Sequence, residues 1–269
     1  MINQIQKIAV IGAGTMGAGI AQLAAIAGYP TLLFDIQEEA LVKGMQTITK
    51  NLNGAIKRGK LSIEAKEAAL QNIRTTSDFQ DLQADFIIEA IVEKLEVKVK
   101  VFQDLAAINS PQTILASNTS SIPITRIAAQ IPNPERVIGM HFFNPPHIMK
   151  LVEVILGAAT HPTIAETVKA LAEKMGKTAV MAKDAPGFIV NRVARSFYLE
   201  SLKILEEQVS DIEGIDAILE SCGFRMGPFK LMDLIGIDVN HSVSESMYAS
   251  FYNEARFRPS RIQRQKVEA

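Results

Sequence analysis

The sequence predicts an α/β protein, a doubly wound and mostly parallel sheet followed by an all-helical C-terminal domain. Three observations carry that expectation. A β-branched run near the N-terminus leads directly into a glycine-rich turn and an apolar helix. Apolar runs then alternate with helical patterns as far as Lys183, and beyond Lys183 the strand pattern stops. With 269 residues, 48% of them hydrophobic, two domains are expected rather than one.

The first strand is read over residues 7–13 (KIAVIGA), followed by Gly12-Ala13-Gly14-Thr15-Met16-Gly17 and a helical pattern through Ile20, Leu23, Ala24 and Ala27. In such a turn the first glycine makes the tight bend. The second lets a pyrophosphate approach the backbone, and the third lets helix pack on strand, while the helix N-terminus offers unpaired N–H groups. Gly28 and Pro30 end the helix. Residues 31–36 (TLLFDI) read as a second strand ending near Asp35, 18 residues past Gly17. A carboxylate there accepts hydrogen bonds from the adenosine ribose and repels a 2′-phosphate, so NAD (NADH) is expected over NADP, although Asp35 could also cap the helix that follows.

Residues 38–59 read as a helix on which Lys43, Lys50 and Lys57 recur every seven positions, with Asn51 and Arg58 beside the last two. Seven residues is close to two helical turns, so these groups share a face. That face is either a solvated surface or a grip on a phosphorylated ligand.

Apolar strands at residues 86–91, 113–116 and 136–142 alternate with helices at 94–108 and 122–130. Ligands of doubly wound sheets lie beyond the carboxyl ends of the strands. Glu93 and Lys98, the run Ser117-Asn118-Thr119-Ser120-Ser121, and His141 to Asn144 all fall there. Ser120 or Ser121 is a candidate cap for the helix near Ile122, and no GxSxG elbow marks either as an acylating nucleophile. Asn144-Pro145-Pro146 forces an extended turn, after which residues 151–156 (LVEVIL) read as a strand carrying Glu153. If that strand is buried, an unpaired carboxylate costs several kcal/mol, so Glu153 needs a partner, and the turn could return it to His141. The alternative is an edge strand with Glu153 in water. In a His-Glu pair the carboxylate fixes the imidazole tautomer and stabilises the imidazolium formed on proton uptake, which beside a nicotinamide suits oxidation of an alcohol.

Six motifs in order, GAGTMG, SNTSS, GMHFFNPP, MKLVEVI, KDAPGFIVNR and MGPFKLMDLIG, resemble the L-3-hydroxyacyl-CoA dehydrogenases, closest in layout to the bacterial 3-hydroxybutyryl-CoA dehydrogenases, over residues 7–238. The resemblance implies a Rossmann-type NAD-binding domain, 1–185, with a helical hairpin insertion at about 38–72. It also implies a helical domain, 186–269, that helps close the substrate cleft and carries a homodimer contact. It makes His141 the acid/base, Glu153 its orienting partner, and Ser120 and Asn191 contacts of the substrate's C3 oxygen region and the bound ligand. Cofactor contacts carried over are Gly12, Ala13, Gly14, Thr15, Met16, Gly17, Asp35, Glu93, Lys98, Ser120 and Asn144. The acyl-CoA thioester is expected on Asn51, Arg58 and Ser120. His147 falls where the family usually has proline and reads as a surface turn residue.

Composition narrows the alternatives. A net charge of -1 and a pI near 6.5 give no global field for nucleic acid or an anionic membrane. The chain has no run long enough to span a bilayer, and only six residues precede the first strand, so no leader and a cytoplasmic location are expected. A single cysteine, Cys222, excludes an internal disulfide and is expected as a small buried side chain; no metal is expected. Two rival readings keep the fold: a dehydrogenase of a free hydroxy acid such as a sugar acid, and a non-catalytic structural or NAD-sensing relative.

Overall fold

The computed structural model describes residues 2–269, which fall into a first compact unit ending at Asp184 and a second, Ala185–Ala269. In the first, β1 (Ile8–Ile11), β2 (Thr31–Phe34), β3 (Ile73–Thr76), β4 (Phe86–Glu89), β5 (Ile114–Ser117), β6 (Val137–Phe142), β7 (Leu151–Leu156) and β8 (Thr178–Lys183) form one sheet. Its order is β3-β2-β1-β4-β5-β6-β7-β8. The chain winds outward from β1 to β3, then returns to pair β4 with the other side of β1. Such a reversal opens a crevice at the carboxyl ends of β1 and β4.

Strands β1 to β6 run parallel, and β7 turns back on β6. The cause is local: residues 143–150 are too few for the crossover of about a dozen or more that a parallel pair requires. β8 then follows β7 in parallel, by way of helix α6. Six helices belong to this unit among the described residues: α1 (Thr15–Ile26), α2 (Glu38–Lys57), α3 (Ile63–Gln71), α4 (Leu95–Ile108), α5 (Ile124–Ala128) and α6 (Pro162–Lys174). Ile8, Val10, Phe86, Ile88, Ile138, Met140, Val152 and Val154 from the strands meet Ile20, Leu23, Val168 and Leu171 from α1 and α6 in one core. Full burial of each such side chain stabilises the fold by about 1.5–3 kcal/mol.

The second unit holds α7 (Val190–Glu206), α8 (Ile212–Ser221), α9 (Pro228–Ile235), α10 (Ile237–Ser250) and α11 (Arg261–Glu268), and no strand among the described residues. Tyr198, Leu202, Ile215, Phe229 and Met232 form its core. Asp216, buried, accepts from the N–H groups of Phe229 and Lys230 and so caps α9. Arg195 is buried against the carbonyl of Asn240 and the hydroxyl of Ser244, and burial brings its guanidinium down to about 10.

Four features differ from the sequence reading. β3 was not anticipated: its residues, IRTT, lie on the sheet edge with two of the four exposed, so no apolar run marks it. α6 and α11 were likewise not anticipated. Cys222 is exposed at the end of α8, not buried, because α8 turns its Ile215 and Asp216 face inward and leaves its last turn in water.

Candidate active site

The glycine turn is a cradle built by three different constraints. Gly12 has φ +97, and a Cβ there would lie 2.6 Å from the carbonyl oxygen of Ala90, so β4's exit closes one side. A Cβ on Gly17 would lie 1.7 Å from the Gly12 carbonyl oxygen, which forbids any side chain where α1 folds against the turn. Gly14 differs, because a Cβ there would meet nothing within 4 Å: its side of the turn is open. No side chain caps α1 at this N-cap, so the first N–H groups of α1 face that opening. Asp35 Oδ2 accepts from Ala13 N at 2.8 Å and its Oδ1 from Gln37 N at 3.0 Å, which fixes the carboxylate at the end of β2 beside the turn. An open glycine, an uncapped helix start and a carboxylate placed for ribose hydroxyls together fit the pyrophosphate and adenosine of NAD.

A second network joins the ends of β4 and β5. Lys98, 1% exposed, donates to Glu89 Oε1 at 2.6 Å and lies 3.2 Å from Glu93 Oε2. Glu89, fully buried, also accepts from Ser117 Oγ at 2.7 Å and Ile91 N at 2.7 Å. Glu93 Oε1 in turn gathers the SNTSS loop, accepting from Thr119 Oγ1 at 2.6 Å, Ser120 N at 2.9 Å and Ser121 N at 3.1 Å. Burial pushes the Glu93 carboxyl up, but the Lys98 ammonium and these hydrogen bonds hold it below the ordinary carboxylate value. Ser120 and Ser121 do not cap α5. Asp184 does, accepting from Ile124 N and Thr125 N at 2.8 Å each.

His141 and Glu153 stand opposite one another in the β6–β7 ladder, and directly opposed residues of an antiparallel pair project from the same face. Their side chains meet with His141 Nδ1 2.7 Å from Glu153 Oε2; Glu153 is fully buried and His141 is 6% exposed. A carboxylate only accepts, so Nδ1 carries the hydrogen and Nε2 is the basic nitrogen. The Phe143 ring lies 4.6 Å from the imidazole, centroid to centroid. Asn118 Oδ1 accepts from Phe142 N at 2.8 Å, tying the SNTSS loop to the end of β6. Asn144 is exposed just beyond, and Pro146 rests on Gly19 of α1, where a Cβ would come within 3.0 Å of its ring.

Beside α2 runs a groove of about 1330 Å³, lined among others by Lys50, Asn51, Lys57, Arg58 and His147. It brings Asn51 and Arg58 together as the sequence suggested, and it includes Lys50 and Lys57 but not Lys43. His147 lies in a turn, as read, but it is half-buried in the groove wall, its Nδ1 3.5 Å from Asn51 Nδ2. Asn191 lies within the first turn of α7, in the helical unit.

Comparison with known proteins adds a family. The domain described as "3-hydroxyacyl-CoA dehydrogenase, NAD binding domain" matches residues 7–185, and "3-hydroxyacyl-CoA dehydrogenase, C-terminal domain" matches residues 187–269. The chain belongs to the 3-hydroxyacyl-CoA dehydrogenase family. Its first unit is thus this family's NAD-binding domain, and NAD is its cofactor. Among relatives of the 3-hydroxyacyl-CoA dehydrogenase family, a 3-hydroxyadipyl-CoA dehydrogenase of Escherichia coli K12 is 51% identical across 99% of this chain. The chain spans 56% of that relative's length. A 3-hydroxybutyryl-CoA dehydrogenase of Bradyrhizobium diazoefficiens is 41% identical, covering 100% of this chain and 92% of its own. A solved 3-hydroxybutyryl-CoA dehydrogenase from Escherichia coli K12 superposes with a TM-score of 0.96 at 50% identity, over 98% of this chain and 56% of that one.

One residue at these strand ends escaped the sequence reading. Glu89 is an acid inside an apolar run, FIIEAI, the same anomaly that singled out Glu153. Asking for its partner would have led to Lys98, nine positions on.

Proposed function

We propose that the chain catalyses the NAD-dependent interconversion of (S)-3-hydroxyacyl-CoA thioesters, 3-hydroxybutyryl-CoA among them, and 3-oxoacyl-CoA thioesters. The observation that carries this reading is the buried His141–Glu153 pair at 2.7 Å, with His141 near the carboxyl end of β6, the same end of the parallel strands from which the open glycine turn leaves β1. His141 Nε2 takes the proton of the substrate's 3-hydroxyl, and Glu153 stabilises the imidazolium that results. In the reducing direction His141 returns the proton to the carbonyl oxygen. Bound NAD⁺ supplies the acceptor for the hydride leaving C3.

Gly12, Ala13, Gly14, Thr15, Met16 and Gly17 would hold the pyrophosphate, Asp35 the ribose, and Glu93, Lys98, Ser120 and Asn144 the nicotinamide half. Ser120 and Asn191 would contact the substrate's C3 oxygen region. Asn51 and Arg58, with Ser120, would hold the CoA. The same reading takes residues 1–185 as the cofactor domain with its hairpin at about 38–72. Residues 186–269 are the domain that closes on substrate and pairs two chains as a homodimer. No helix among the described residues is long and apolar enough to cross a membrane, and we place the enzyme in the cytoplasm.

Initial rates of NADH oxidation against 3-oxoacyl-CoAs of increasing chain length, repeated with NADPH, test the reading. Turnover is expected with NADH and not with NADPH, since Asp35 would face the 2′-phosphate. His141→Ala is expected to lower kcat by about 10²–10⁴ while nicotinamide binding persists. Absence of NADH oxidation with every thioester, or near-normal turnover by the variant, would overturn it.

A further inference from the structure

The groove beside α2 has unlike ends. Toward β3 its walls include Glu38, Thr76 and Asp78; at the other end lie Lys50, Lys57, Arg58 and His147. The Arg58 guanidinium folds back over Gly54, with Nη1 3.3 Å from where a Cβ would stand, and so lies one turn along from Asn51. Asn51 Nδ2 donates to Gln22 Oε1 at 3.2 Å and faces His147 Nδ1 at 3.5 Å. Behind the imidazole, Lys177 is buried, and its ammonium donates to the carbonyls of Pro146 at 2.5 Å and Met149 at 2.9 Å. Among the described residues none of Lys50, Lys57, Arg58 and Lys177 forms an ion pair with a carboxylate. Lys50, Lys57 and Arg58 line this end of the groove without a paired carboxylate, with the Lys177 charge behind the wall, and such a cluster of cations suits an anion.

We propose that His147, with Arg58, forms a phosphate subsite for the nucleotide end of the acyl-CoA, with the buried Lys177 charge behind the ring, and that filling this subsite protonates the imidazole. The identity of the ligand rests on the function proposed above; the subsite rests on the groove.

The coupling follows from the surroundings. The Asn51 amide nitrogen bonds Gln22 and faces His147 Nδ1, and since an amide N–H can only donate, this contact favours the neutral ring with Nδ1 accepting. Burial, then the charges of Lys177 and Arg58, hold the imidazole below its ordinary value. The groups that face it are Arg58 from α2 and Lys177 from the turn before β8, with Lys50 and Lys57 further along the same wall and Glu38 and Asp78 at the far end; α1, whose Gln22 backs Asn51, has no titratable residue. A phosphate dianion placed among these cations favours the charged ring and raises its pKa in the complex. The gain in affinity is therefore full below the free-state pKa and is lost as pH rises from that value to the bound-state one.

Calorimetric titration of the full chain with adenosine 3′,5′-bisphosphate at pH 7.5, in two buffers of different ionisation enthalpy, tests this. A phosphomonoester with a second pKa of about 6 is already a dianion there, so protons taken up are the protein's. The wild type is expected to take up a fraction of a proton. His147→Gln is expected to take up none and to bind about two- to fivefold more weakly, as for a partly exposed ion pair, with the loss of thioester turnover carried by KM. Unchanged uptake in the variant, or binding by the wild type without uptake, overturns the subsite. If uptake depends on His147 but no 3-oxoacyl-CoA is reduced, the subsite stands and the proposed activity falls. If thioesters are reduced but the bisphosphate binds without proton uptake, or not at all, the activity stands and the subsite falls.

Discussion

Glu153 is fully buried and its carboxylate meets the His141 imidazole at 2.7 Å, so its negative charge acts on His141 through a medium that screens it little. Glu153→Gln keeps the shape and an oxygen to accept from Nδ1 but removes the charge that stabilises the imidazolium. We expect kcat to fall by about 10²–10⁴ with NADH binding retained, read by steady-state rates and nucleotide fluorescence. A fall in nucleotide affinity instead of kcat would remove Glu153 from the acid/base role. Gly17 makes the opposite kind of prediction, since a Cβ there would lie 1.7 Å from the Gly12 carbonyl oxygen. Gly17→Ala must push the turn away from α1, and urea unfolding should show a loss of about 1–3 kcal/mol together with weakened NADH binding. Both residues were readable in advance, one as a charge among Val152 and Val154, the other as the third glycine of a spaced set. His147 was not, because a histidine between Pro146 and Ile148 carries no mark of the helix it touches, and Asn51 is 96 positions away.

At the scale of elements, the SNTSS run is held by two carboxylates, Glu89 at Ser117 and Glu93 at the residues that follow. Glu93 collects the loop while Lys98, anchored on Glu89, holds Glu93. The Glu93 carboxyl titrates below its unfolded value, so its contribution to stability is present above about pH 4.5 and is lost as pH falls through the folded-state pKa. Thermal melts followed by circular dichroism should show the wild type losing stability in that acid window. Glu93→Gln should show a shallower loss there, and identical pH profiles would contradict the network's role. Strands were legible where both faces are buried and the sequence therefore reads as a continuous apolar run, as in β1, β2, β4, β6 and β7. β3 was hidden because an edge strand has one neighbour and need not be apolar. The reversal of β7 was legible in principle from the short connection 143–150, and it is that reversal which sets Glu153 opposite His141.

At the scale of the whole molecule, the helical unit keeps large apolar side chains in water: Val193, Val209 and Leu234 are each 71% exposed. These are the positions at which the homodimer proposed above is tested. If two chains pair through them, light scattering should give about twice the chain mass of 29.4 kDa at micromolar concentration. Leu234→Lys with Val193→Asp should then shift the population to monomer, whereas a monomeric wild type would end the dimer reading. The division of the chain near Asp184 was visible in the sequence as the place where strand patterns cease.

The exposed Cys222 has a practical consequence. A chain with one cysteine, in water at the end of α8, accepts one maleimide dye per molecule, and that dye reports on the helical unit alone. NADH held by the other unit is itself fluorescent. Energy transfer from the nucleotide to a dye on Cys222 would therefore follow, in real time and without any substitution, whether the helical unit moves when a thioester arrives.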